Sequence, residues 1–285
     1  MPGIWMFDGG AAVKNFCLIV NEEKDTGRSV ANVIKTYLEK SEYCVTILSH
    51  RDALCLDQEV DMALVLGGDG TVIQAAKKIA GQKIPILGVN LGTLGFLTEV
   101  ERPRMYQALD MVMSGRYSIE KRIILTGMIE SGEEESLAVN EIIVGKKDIG
   151  RMITTSVWVN DELMDTYVAD GVIVATPTGS TAYNLSAGGP VLSPDMEALV
   201  ITPICPHSLN KRSLVVSSED TIRIQVERTR ESYMDEASVR CDGEILWNAS
   251  SGDVVYIRKA EQMVDMVCLG DVGFYEKMRS KLNRK

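Results

Sequence analysis

At 285 residues the chain exceeds the usual size of one domain, so two domains are expected. Its 45% hydrophobic and 25% charged residues are ordinary for a soluble globular protein. No stretch approaches the roughly 18 continuous apolar residues of a membrane span. Residues 1–13 lack a basic start, a long apolar core and a small-residue cleavage site, which excludes a signal peptide and leaves a cytoplasmic protein as the expectation. The net charge of −10, from 40 acidic and 30 basic residues, is the wrong sign for a nucleic-acid surface. It also opposes anionic substrates, so a nucleotide would arrive more readily as its magnesium complex.

The chain opens on a segment, residues 1–14, whose Gly9-Gly10-Ala11-Ala12 stretch reads as a loose tail. Residues 15–118 alternate strand and helix signals. Phe16 to Val20 is a short apolar strand. Ser29 to Lys40 carries Val30, Val33, Ile34, Tyr37 and Leu38 at i, i+3, i+4, i+7 and i+8, one face of a helix. Cys44 to Leu48 and Met62 to Leu66 are further strands, a helix runs from Val72 to Ala80, and Ile84 to Val89 follows. A last helix spans Pro103 to Ser114. Strands separated by helices imply a parallel sheet covered on both faces, with ligands beyond the carboxyl ends of the strands.

After Gly115 the period changes. Ile153, Thr155, Val157 and Val159 alternate with Thr154, Ser156 and Trp158, and Asn160-Asp161 turns the chain into Glu162 to Val168. Ile222, Ile224 and Val226 alternate with Arg223, Gln225 and Glu227. Val172 to Ala175, Leu214 to Ser217, Val239 to Asp242 and Val254 to Arg258 are other short strands, and Glu133-Glu134-Glu135 reads as a solvated hairpin tip. Residues 119–267 are therefore expected to form a mostly antiparallel β domain. The tail from Gly273 to Asn283 resumes helical spacing, so residues 268–285 are expected to pack back on the first domain. The six cysteines, at 17, 44, 55, 205, 241 and 268, form no Cys-x-x-Cys pair, and most sit in apolar runs.

Gly67-Gly68-Asp69-Gly70-Thr71 joins a buried strand to a helix. The bland reading is a connection in which glycines supply positive φ. The functional reading is that backbone N–H groups form an anion nest, glycines admit a ligand, and Asp69 accepts a proton or meets Mg²⁺. Thr71 caps the helix or holds a phosphate oxygen. Asn140-Glu141 lies between the apolar stretches Leu137 to Val139 and Ile142 to Val144, a costly place for an amide and a carboxylate without partners. Asn can read an adenine edge and Glu can accept from a ribose hydroxyl. Asp170-Gly171 precedes the strand Val172 to Ala175, which runs into Thr176-Pro177-Thr178-Gly179-Ser180-Thr181. Thr178, Ser180 and Thr181 would present N–H groups and hydroxyls at the start of a helix over Thr181 to Ala187, an arrangement that suits phosphate or simply caps the helix. His50 and His207 are the only histidines. His207 reads as a packed loop residue, and Asp242-Gly243 as a hairpin turn whose carboxylate can also face a pocket.

Together these segments resemble the NAD kinase family of cytoplasmic bacterial type. The resemblance rests on Gly67 to Thr71, Asn140-Glu141, Asp170-Gly171, Thr176 to Pro190 (TPTGSTAYNLSAGGP) and Thr202 to Leu209. It implies an N-terminal α/β domain with a parallel sheet, an all-β C-terminal domain, an active site in the interdomain cleft and a homo-oligomer, a dimer or tetramer. Asp69 would be the general base that lets the adenosine ribose 2′-hydroxyl of NAD⁺ attack the γ-phosphate of Mg–ATP. By carry-over, Asp69, Gly70, Asn140, Glu141, Asp170, Thr181, Ala182, Tyr183, Asn184, Leu185, Ser186 and Cys205 would bind NAD. Gly67, Gly68, Gly70, Thr71, Thr178 and Gly179 would hold the phosphate donor. Mg²⁺ would come on ATP, without dedicated protein ligands. Val168, Gln74, Glu244 and Ser213 depart from residues common in the family. A lipid kinase sharing the Gly-Gly-Asp-Gly turn and a non-catalytic NAD(H) sensor are the alternative readings.

Overall fold

A computed structural model describes residues 13–52, 59–92, 95–132, 134–147, 150–228, 236–270 and 273–282. The Gly9–Ala12 stretch of the expected tail, Cys55 and Glu133 lie outside them. In chain order the elements begin β1 (Asn15–Val20), α1 (Ser29–Glu39), β2 (Cys44–Ser49), β3 (Met62–Gly67), α2 (Asp69–Ile79), β4 (Ile86–Asn90), β5 (Val100–Glu101), α3 (Met105–Met113) and β6 (Ser118–Ile129). There follow β7 (Ser136–Ala138), β8 (Glu141–Lys146), β9 (Ile153–Val159), β10 (Glu162–Ala169), β11 (Gly171–Ala175) and the one-turn helix α4 (Tyr183–Ser186). The chain finishes with β12 (Ala198–Ile204), β13 (Leu214–Ser217), β14 (Ile222–Val226), β15 (Glu236–Cys241), β16 (Glu244–Ser250), β17 (Val254–Cys268) and α5 (Phe274–Leu282).

Two compact units result, one from the chain up to Lys121 together with residues from Val264 on, the other from Arg122–Met263. In the first, β2, β1, β3 and β4 pair in parallel in that order, and Met266 near the end of β17 pairs with Ile86. Every residue of β3 and β4 is buried, as a parallel sheet covered by helices requires. The α1 helix buries Val30, Ala31, Ile34 and Leu38, each large aliphatic contributing about 1.5–3 kcal/mol of transfer free energy. The expected face is shifted slightly: Ala31 takes the inner position and Val33 is exposed.

The second unit holds two sets of strands. One runs β10–β9–β14–β17, all antiparallel, with β6 pairing β7. The other is a six-stranded sheet in the order β13–β12–β11–β8–β15–β16, again antiparallel throughout. Their apolar faces share one core that includes Leu125, Ile142, Val144, Val157, Tyr167, Val174, Leu199, Ile224, Val239 and Ile257. Glu135 is not merely solvated, since it accepts hydrogen bonds from Thr126 Oγ1 (3.0 Å) and Arg258 (2.9 Å).

Candidate active site

In the first unit β3 delivers the chain to Gly68, which stands extended (φ −130°, ψ −173°) before Asp69 opens α2. The helix thus begins earlier than Val72, and Asp69 belongs to its first turn. None of Gly67, Gly68 and Gly70 lies in the left-handed region, so positive φ is not why glycines stand there. A Cβ on Gly67 would overlap the Thr71 hydroxyl, and one on Gly68 would lie 2.6 Å from the ammonium of Lys24. Among the described residues a Cβ on Gly70 would meet nothing within 4 Å, and the residue is exposed. Neither backbone conformation nor packing among the described residues therefore calls for glycine at position 70.

The Asp69 carboxylate accepts three peptide N–H groups, from Phe96 (2.7 Å), Leu97 (3.1 Å) and Thr98 (3.3 Å). A Cβ on Gly95 would overlap Oδ1 of Asp69, so the loop approaches this closely only because residue 95 is glycine. From α5, the Lys281 ammonium stands 3.8 Å from Oδ2 of Asp69 and 3.8 Å from the centre of the Phe96 ring. Lys277 of the same helix pairs with Glu99. The carboxylate is about a third exposed (31%), fixed in direction yet open on one side. Thr71 is buried, and its hydroxyl accepts from Asn21 Nδ2 at 3.1 Å. Lys24, Gly95 and Lys281 escaped the sequence reading because only tertiary folding brings them to Asp69 or its turn.

In the second unit the site is built at one end of β8 and β11. Asn140 precedes β8, and Glu141, its first residue, lies opposite Ala175 at the end of β11. Thr176 follows: its N–H donates to Asn140 O (2.9 Å) and its hydroxyl to Val139 O (2.7 Å). A Cβ on Gly179 would overlap the Asn140 carbonyl, so glycine is what lets the two segments meet. Glu141 is 6% exposed and its Oε2 is buried with no hydrogen-bond partner among the described residues. Burial, with the Asp242 carboxylate close by, pushes its carboxyl up to about 8.

The turn after Thr176 differs from the single helix expected over Thr181 to Ala187. A 3-10 turn covers Gly179–Thr181, Ala182 breaks it (φ −93°, ψ −129°), and α4 supplies one turn more. Nor are its hydroxyls free. Ser180 Oγ donates to Pro177 O (2.6 Å) and Thr181 Oγ1 to Thr178 O (3.2 Å). Asn184 is fully buried, its Nδ2 donating to Ser180 O and Pro190 O while its Oδ1 accepts from Thr202. Short polar side chains fold this turn by bonding their own backbone. Tyr183 and Ser186 are exposed, and Thr178, Ala182 and Leu185 are more covered.

Asp170 stands at the opposite end of β11 from Thr176, a strand length of about 17 Å. Its carboxylate accepts from Lys146 Nζ at 2.6 Å, a partner missed because it faces Asp170 only through the β8–β11 pairing. Asp170 N–H donates to Ile204 O (2.9 Å), next to Cys205, which is exposed at φ 45°. The structure therefore groups Asn140, Glu141 and Thr176–Ser186 together, and Asp170 with Cys205.

An α/β unit with an aspartate at the mouth of its parallel sheet, and a β unit with a buried polar pair, define a two-unit kinase that handles a nucleotide. Residues 19–117 match the ATP-NAD kinase N-terminal domain family and residues 139–269 the ATP-NAD kinase C-terminal domain family. An NAD kinase of Lachnoclostridium phytofermentans is 39% identical over 96% of this chain and all of that protein. The yeast NADH kinase complexed with NADH shares the fold, with a TM-score of 0.82 at 22% identity over 96% of this chain and 89% of its own. An NAD kinase from Archaeoglobus fulgidus in complex with ATP gives 0.76 at 26% identity over 94% and 98%. The chain belongs to the NAD kinase family.

Proposed function

We infer that this chain is an NAD kinase that transfers the γ-phosphate of ATP to the adenosine ribose 2′-hydroxyl of NAD⁺, giving NADP⁺ and ADP. The observation that carries the reading is Asp69: a carboxylate aimed by three peptide N–H groups, beside a glycine that neither φ nor packing among the described residues explains. Of the roughly four lone-pair sites on a carboxylate, three are occupied, which leaves one for a substrate hydroxyl. A loose phosphoryl-transfer transition state demands positioning more than a strong base, so a well-aimed carboxylate suffices. We assign Asp69 as the group that receives the hydroxyl proton.

Asn140, Glu141 and the Thr181 to Ser186 segment are proposed to bind the dinucleotide, with Gly67, Gly68, Gly70, Thr71, Thr178 and Gly179 toward the phosphates. Asp170 and Cys205, a strand length from Glu141, fit a site completed by another copy of the chain, and we propose a homo-oligomer acting in the cytoplasm. Among the described residues no group of three His, Cys, Asp or Glu could hold a metal. Magnesium prefers phosphate and water to an all-protein cage, so it would enter on ATP, where it neutralises phosphate charge. Among the described residues no helix is long and apolar enough to cross a membrane.

Incubation with NAD⁺ and Mg–ATP tests the reading through NADP⁺ formation. ATP use that depends on added lipid would favour a lipid kinase. Tight NAD(H) binding with no NADP⁺ formed would favour a sensor.

A further inference from the structure

We propose that Asp242, in the β15–β16 turn, is a positioning residue of the dinucleotide site, holding Asn140 and Glu141 ready from a hundred residues away. The inference rests on the assignment of Asn140 and Glu141 as NAD-binding residues. Asp242 Oδ2 accepts the Val139 N–H at 2.8 Å, and Oδ1 accepts those of Asn140 (2.7 Å) and Glu141 (3.3 Å). In return the Asp242 N–H donates to Glu141 O at 3.0 Å. The carbonyls of Val139 and Asn140 are taken by Thr176.

Every backbone group of the segment that could wander is thus tied, Asp242 taking one side and Thr176 the other. What remains to meet a ligand is the side chains. Glu141 presents a buried oxygen with no partner among the described residues, the kind of group that a ligand hydroxyl completes. Asp242 and Gly243 hold left-handed conformations (φ 50° and 87°), which aims the Asp242 carboxylate back at its own sheet neighbour. The expected alternative, an Asp242 carboxylate facing the ligand itself, is therefore replaced: its oxygens face the Val139–Glu141 peptides. A carboxylate accepting several peptide N–H bonds fixes a segment as a cap fixes a helix start.

The test uses full-length Asp242→Asn, Asp242→Ala, Glu141→Gln and the Asp242→Asn/Glu141→Gln double variant, with KM for NAD⁺ and for ATP, kcat and the unfolding midpoint measured for each. Asn tolerates the left-handed conformation, so Asp242→Asn keeps the turn while weakening the clamp. KM for NAD⁺ is expected to rise about 10- to 100-fold in Asp242→Asn, the range typical when a supporting residue of a site is lost. KM for ATP and kcat should stay within about threefold, since uniform substrate binding is what is removed. Asp242→Ala should be worse than Asp242→Asn. The double variant should fall short of the summed effects, because both changes act on one group. Equal losses for NAD⁺ and ATP with a lowered unfolding midpoint would show a merely structural turn and overturn the proposal, as would additive effects. If Glu141→Gln leaves KM for NAD⁺ unchanged, the underlying assignment fails and the proposal with it. If Glu141→Gln raises it and Asp242→Asn does not, the proposal alone fails.

Discussion

Gly95 and Asp69 are mutually exclusive in size: a side chain on the first would occupy the space of the carboxylate on the second. The Phe96–Thr98 peptides can therefore aim Asp69 only while residue 95 has no Cβ. Gly95→Ala should displace the carboxylate and cut kcat by about 100-fold or more, the scale of a lost acid–base group. NADP⁺ formation by the purified variant checks this, and near-normal kcat would show that the observed aim is unimportant.

Gly70 should behave oppositely toward the fold. It lies in the first turn of α2, where alanine is favoured over glycine by at most about 1 kcal/mol, and its Cβ would meet nothing among the described residues. Gly70→Ala is expected to hold or raise the unfolding midpoint while lowering kcat/KM for NAD⁺ or ATP by at least about tenfold. A stable variant with unchanged kinetics would remove Gly70 from the ligand path.

Glu141 ties stability to pH. Its carboxyl is raised from 4.5 to about 8 by burial and by the neighbouring Asp242. A raised acid is neutral in the fold and ionised in the unfolded chain, so its contribution is intact below about 4.5 and lost as pH climbs toward 8. Glu141→Gln, which never ionises, should gain on the wild type across that window by at most about 1.4 kcal/mol per pH unit. Thermal melts at pH 5 and pH 8 check the sign. A stability difference that is constant in pH would contradict it.

Gly179 meets Asn140 so closely that Gly179→Ala must part the Thr176 turn from the Asn140-Glu141 segment. The expected outcome is loss of NAD⁺ affinity together with a destabilisation of about 1–3 kcal/mol, as for other overpacked sites. Isothermal titration and denaturant melts measure the two effects separately.

Much of the architecture could be read from the chain. The first unit announced itself through short apolar runs alternating with a helical period, and the β9–β10 hairpin through strict alternation around Asn160-Asp161. β12 did not, because Pro203 inside Ala198–Ile204 has no N–H to give a sheet ladder and so argues against a strand. β17 was seen only to Arg258 because Glu261, Gln262 and Met263 form an exposed stretch midway along it, masking the strand beyond. The break at Ala182 was hidden by hydroxyls that cap their own turn rather than a longer helix. Asp69, Asn140 and Glu141 stood out as polar residues beside buried strands. Their supports, Gly95 and Asp242, come from pairings across strands and loops that no local pattern encodes, as does Lys146 for Asp170.

The most direct measurement is Asp69→Asn, assayed for NADP⁺ formation from NAD⁺ and Mg–ATP and, in parallel, for NAD⁺ binding. With its oxygen in the Oδ1 position, asparagine keeps the bonds from Leu97 and Thr98 and loses the proton acceptor, the Phe96 bond and the ion pair with Lys281. Turnover is expected to fall by about 10²–10⁴-fold with NAD⁺ affinity retained within a few-fold. Turnover equal to wild type in a folded Asp69→Asn protein would contradict this expectation.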